Sequence, residues 1–237
     1  MTTTPPPLYQ GHRERVQEKF LNTPNTDAIP DYEFLELILM KSIPRLDVKP
    51  LAKELLKHFG TLSNVLNAPF KELSQFKHIK NSTFVLFKLI LEANKRLLKE
   101  DLKQRPVLLA RDSLVDYCCL CMGNTTQEKL MALYLDFSGH LIRTETLQTG
   151  TLDQVSIYPR EILKQALLIG AKSLVLVHNH PTGDPRPSSE DYAVTVELYH
   201  TLKTVEIDLV DHLIIGTGRR IFSFREQGHL TISPRRK

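Results

Sequence analysis

Between two helical stretches, Ser173-Leu174-Val175-Leu176-Val177 forms an uninterrupted apolar, β-branched run that ends on His178-Asn179-His180-Pro181. Such a run reads as a strand buried on both faces, and so places the chain in the α/β class, with helices covering a sheet. Side chains two apart on a strand share a face, so both imidazoles emerge from the core on one side. Pro181 and Gly183 end the ladder and turn the chain toward a helix that starts near Ser188 and has Asp191 in its first turn. Two histidines and one carboxylate leave a coordination position open, the pattern of a catalytic zinc rather than of a closed structural one. Ser188-x-x-Asp191 also has the form of a capping box. A cap, however, predicts nothing about a His-x-His at the end of the preceding strand, whereas a metal site uses all of these residues.

The rest of the second half alternates helix and strand. A helix is expected over Arg111 to Met122, strands over Leu130 to Leu135 and Leu141 to Leu147, and a turn at Phe137 to His140. Pro159 at a first helical position opens a helix over Arg160 to Ile169 that Gly170 closes, and the metal loop leads into a helix over Ser189 to Lys203. Terminal strands are expected over Leu209 to Ile215 and Arg220 to Phe224. The order predicts a mixed sheet between helices, in a domain spanning 107 to 237 after a linker at Asp101 to Pro106.

The first hundred residues read as a separate all-α module. After a polar, Pro-rich leader at Met1 to Leu8, helical patterns cover Asp31 to Met40 and Val48 to Phe59, the latter stopping at Gly60. Short pieces follow at Thr61 to Leu66 and Phe70 to Leu73, then a long amphipathic helix over Ser82 to Leu98. This module also carries the charge surplus: residues 1 to 100 hold 15 Lys/Arg against 11 Asp/Glu, while the remainder holds 16 of each. Any bias toward nucleic acid therefore lies in the N-terminal part, although a solvated helical surface accounts for the surplus equally well.

With 41% hydrophobic residues in 237, the chain can bury one large core or two smaller ones. No apolar stretch reaches the 18 or so residues a membrane span needs, and the N-terminus lacks a basic region followed by an apolar one. A cytoplasmic protein without a membrane partner is expected. Cys118, Cys119 and Cys121 sit too close together on one helix to present three sulfurs tetrahedrally and read as small buried side chains, with a second zinc site as the alternative.

His178-x-His180-Pro181 followed by Ser188-x-x-Asp191 resembles the JAMM (MPN-plus) metalloprotease signature. The six residues Thr182 to Pro187, Asn179 between the histidines, and Gly183-Asp184-Pro185 after them are similar to the bacterial RadC-like, UPF0758 family rather than to eukaryotic deubiquitinases. Gly150-Thr151-Leu152, Tyr158-Pro159-Arg160-Glu161-Ile162 and Asp211-His212-Leu213-Ile214-Ile215-Gly216 resemble further blocks of that family in the same order. The resemblance implies a zinc-dependent hydrolase of peptide or isopeptide bonds, with His178, His180 and Asp191 as ligands and Ser188 as a hydrogen-bond donor to the oxyanion. It places the general base just ahead of the strand after the first helix, which is Glu128; Glu145, a charge interrupting the next strand, is the rival. Arg160 and Glu161 are candidates for substrate contact or for a simple charge pair.

The same resemblance makes the N-terminal module helix-hairpin-helix-like, a fold that grips DNA phosphates through hairpin backbone N-H groups. The hairpin falls at Phe76 to Ser82, where the expected glycines are missing and Lys77 and Lys80 remain as point charges. DNA binding and protein docking stay open as roles for this module. A DNA-repair or recombination accessory protein is accordingly the alternative to a peptidase with a peptide or protein substrate. An HNH nuclease fits less well, because its residues are dispersed over a ββα element and here the three letters are contiguous.

Overall fold

A computed structural model describes residues 11–123, 127–149 and 159–230. The leader, Thr126, the Gly150-Thr151-Leu152 block and Tyr158 lie outside the described residues. The chain divides into two compact units, Met1–Ala93 and Asn94–Lys237.

The first unit is helical. Helices α2 (Asp31–Ser42), α3 (Lys49–Phe59), α4 (Leu62–Asn67) and α5 (Phe70–Leu73) follow the apolar pattern and enclose a core that includes Leu35, Leu39, Leu55, Leu73 and Phe87. Sequence reasoning missed α1 (His12–Asn22), whose mean hydropathy is low and which buries only Val16. Polar anchors hold it instead. His12 Nε2 lies 2.6 Å from Oε1 of the buried Glu36, and the Arg13 guanidinium donates to the carbonyls of Met40, Ile43 and Leu46 at 3.1, 2.6 and 2.7 Å, satisfying groups at the end of α2 and in the loop that follows it.

Helix α6 runs from Asn81 to Gln104, so residues 101–104, expected as linker, are helical. Asp101 and Arg105 pair across one turn, with Arg105 Nε 2.6 Å from Asp101 Oδ1, and Pro106 then stops the helix. In the turn between α5 and α6 the left-handed residue is His78 (φ 76°) rather than a glycine, with Lys77 and Lys80 exposed beside it.

The second unit is an α/β domain. Its five-stranded sheet has the order β2-β1-β3-β4-β5, from β1 (Lys129–Leu135), β2 (Leu141–Thr149), β3 (Ser173–Asn179), β4 (Asp208–Ile215) and β5 (Ile221–Ser223). Strand β3 pairs antiparallel with β1 and parallel with β4, so the sheet is mixed. Being central, β3 is buried at every position, which is why its sequence does not alternate. Val175 and Val177 face one core with α7 (Arg111–Met122); Leu174 and Leu176 face the other, where Ile162 and Ala166 of α8 (Pro159–Leu168) and Leu198 and Leu202 of α9 (Ser189–Lys203) pack. Burial raises the Cys118 thiol well above its ordinary range and that of Cys119 to about 11, and none of the three cysteines joins a metal-holding cluster among the described residues. No described helix is long and apolar enough to cross a membrane.

Candidate metal centre

The parity of β3 sends His178 to the α8/α9 face, and His180 follows two residues later, just past the strand end, where its N-H donates to the carbonyl of Ile215 at 2.9 Å. The loop then doubles back. Gly183 adopts φ 86°, and a Cβ there would stand 2.7 Å from Thr217 Oγ1, so both the turn and its close packing on the loop between β4 and β5 need glycine. The return brings the chain to Ser188, the N-cap of α9.

There Ser188 and Asp191 form a complete capping box. The Asp191 N-H donates to Ser188 Oγ at 3.1 Å, while Ser188 N-H and Oγ-H donate to Asp191 Oδ2 at 2.7 and 2.8 Å. Capping and metal binding are thus compatible, since the box orients the carboxylate toward the strand end. Oδ1 lies 3.1 Å from His178 Nε2, Oδ2 lies 3.3 Å from His180 Nε2, and the two Nε2 atoms are 2.9 Å apart. Zinc-ligand bonds of about 2.0–2.1 Å place tetrahedral ligands about 3.3 Å from one another, close to these separations, in which each nitrogen is measured to its own carboxylate oxygen. His180 Nδ1 is 2.8 Å from the Asp184 carbonyl and must donate to it, which leaves its Nε2 lone pair facing the centre. Three electron-rich atoms therefore converge on one point, an arrangement that fits a cation.

The electrostatics agree. Burial holds His178 down at about 4, and so neutral. His180 is raised, first by its hydrogen bond with Asp191, then against burial by the Asp184 carbonyl and the charges of Asp191 and Glu128. Asp191 is lowered despite its burial, by His180, His178 and Ser188.

Glu128 sits half-buried immediately before β1, and its charge is among those that raise His180. Asn179 holds this segment. Its Oδ1 accepts from Lys129 N-H at 2.9 Å and its Nδ2 donates to the Gln127 carbonyl at 3.1 Å, so one side chain clamps the backbone on both sides of Glu128. Glu145, the rival, lies on β2. It pairs in register with Ala132, which in turn pairs with Leu176, a strand away from β3 and two residues deeper than the Leu130–His178 pair; its charge is felt by Tyr134. Arg160 and Glu161 form an exposed pair 3.6 Å apart. Sequence reasoning named His212 only within a family block and gave it no role at the site, yet its Nε2 is 3.0 Å from His178 Nδ1; a histidine inside an apolar strand was the available signal.

A mixed sheet whose central strand ends on two histidines, joined by a carboxylate from the next helix, is a domain of the JAB class: residues 108–229 match the family model described as a RadC-like JAB domain. The chain belongs to the RadC-like, UPF0758 family. It is 43% identical over 215 residues to a UPF0758 protein of Rhodobacter capsulatus, covering 91% of this chain and all of that one. A UPF0758 protein of Ruegeria pomeroyi is 41% identical over 225 residues, covering 95% of this chain and likewise all of that one.

Proposed function

We propose that the C-terminal domain is a zinc-dependent hydrolase of peptide or isopeptide bonds. The observation that carries this reading is the triangle of His178, His180 and Asp191, in which three acceptor atoms converge with a coordination position left over. Zinc in an open three-ligand site supplies Lewis acidity and lowers the pKa of a water to about 7. Glu128 takes up the water's proton and passes it to the leaving amine, held for that task by the Asn179 clamp. Ser188 donates to the oxyanion once its hydroxyl hydrogen turns away from Asp191 Oδ2, while its backbone N-H keeps that oxygen satisfied. The test is metal analysis of the purified chain coupled to digestion of an unbiased peptide library. Metal-dependent peptide cleavage without phosphodiester cleavage is expected; zinc-loaded protein that cleaves no peptide would refute the reading.

A second reading concerns the N-terminal unit, which we propose binds DNA weakly. It is favoured by the turn at His78, whose left-handed backbone supplies hairpin geometry without glycine and sits between two exposed lysines. Salt-dependent binding to duplex fragments by the full chain tests it.

A further inference from the structure

Three side chains from β3, β4 and α9, together with the backbone carbonyl of Asp191, make a chain of hydrogen bonds behind the metal triangle, and its proton positions follow from one end. The Thr195 hydroxyl lies 2.5 Å from the Asp191 carbonyl, which can only accept, so the hydroxyl hydrogen is spent there. Thr195 Oγ1 also lies 2.6 Å from His212 Nδ1 and must accept from it, so His212 carries its hydrogen on Nδ1 and presents a bare Nε2. That Nε2, 3.0 Å from His178 Nδ1, accepts in turn, leaving His178 Nε2 bare and facing the centre. His212 is buried and stacked on Phe224, with centroids 4.9 Å apart and planes at 9°, so its ring has little room to turn.

We infer that His212 and Thr195 are positioning residues: a hydrogen-bond relay that starts at the backbone of ligand Asp191 and fixes the tautomer and orientation of ligand His178. It rests on the metal-centre reading above. An imidazole here takes the place of the carboxylate or carbonyl that more often accepts from a ligating histidine. The relay also couples two ligands from different elements, since displacing α9 would release both Asp191 and the hydrogen bond that sets His178.

The test measures zinc affinity of the full chain by competition with a chelating fluorophore, beside the melting temperature of the metal-free protein. His212→Phe keeps the ring and its stack but offers no acceptor; Thr195→Val keeps every ring and removes the hydroxyl. Each should weaken zinc binding by about 10–100-fold. His212→Gln, with an amide oxygen for His178 and an N-H for Thr195, should recover most of the loss, which a purely structural role would not explain. Wild-type affinity in both His212→Phe and Thr195→Val, or no recovery by His212→Gln relative to a folded His212→Phe, overturns the inference. Should the His212 variants fail to fold, Thr195→Val and the imidazole ¹⁵N spectrum of the metal-free wild type decide it. The spectrum is expected to show His178 and His212 both protonated at Nδ1 in their neutral forms, and Nε2 protonation of either overturns the relay. Absence of zinc affinity in the wild type would remove the metal reading alone, because the spectrum tests the relay without metal.

Discussion

Replacing Asn179 with alanine removes two hydrogen bonds from the segment that carries Glu128, the 2.9 Å bond from Lys129 N-H and the 3.1 Å bond to the Gln127 carbonyl. Each is worth about 1 kcal/mol net, and more where the stranded group stays buried; Asn179 is buried, Lys129 half-buried and Gln127 exposed, so water reaches part of what is released. The loss should come to about 2 kcal/mol, localised before β1. Because about 1.4 kcal/mol is a factor of ten, amide exchange at Lys129 should accelerate by about 10–100-fold. Core amides of β1 such as Leu133 exchange only through larger openings and should remain far slower than Lys129. Asn179→Asp keeps the acceptor for Lys129 but sets a second oxygen against the Gln127 carbonyl, so Lys129 should keep more protection than in the alanine variant. Zinc affinity, set by residues whose contacts are untouched, should hold while turnover falls. Unchanged Lys129 exchange in Asn179→Ala would refute the clamp.

His178→Ala and His180→Ala should each lose the metal, since a three-ligand site has no spare donor; one zinc per chain by elemental analysis in both would remove the assignment. Glu128→Gln takes away a proton acceptor but no ligand, so zinc content should stay and peptide cleavage should vanish, whereas Glu145→Gln, beside Tyr134, should remain active; the reverse result would make Glu145 the base. In the N-terminal unit, Lys77→Ala/Lys80→Ala should weaken DNA binding uniformly across sequences and shallow the salt slope by roughly one to two units, and a chain with no salt-sensitive DNA affinity at low ionic strength would leave that unit a structural or docking module.

The fold class was legible because its signals are local and periodic. The unbroken apolar run of β3 announced a strand covered on both faces, and glycine and proline marked the ends of α3, α8 and the metal loop. The three acceptor residues were legible for a related reason: strand parity and a helix N-cap set directions that do not depend on the rest of the molecule. Helix α1 was not legible, because a helix held by Arg13 and His12 against another helix's carbonyls and carboxylate leaves little apolar stripe to read. The continuation of α6 through Gln104 was hidden likewise, its last turn being polar and held by the Asp101–Arg105 pair.

What the sequence by itself determined is therefore the α/β class, the central strand and the kinds of atom gathered at its end. Only the tertiary structure decided which neighbours control those atoms. His212 reaches His178 through the parallel pairing of β3 with β4, Thr195 reaches His212 from α9, and Asn179 reaches both sides of Glu128 from the opposite face of β3. These contacts join residues 17 to 52 positions apart, and hydrogen-bond partners at such separations are set by strand register and layer packing, for which a single sequence carries no period.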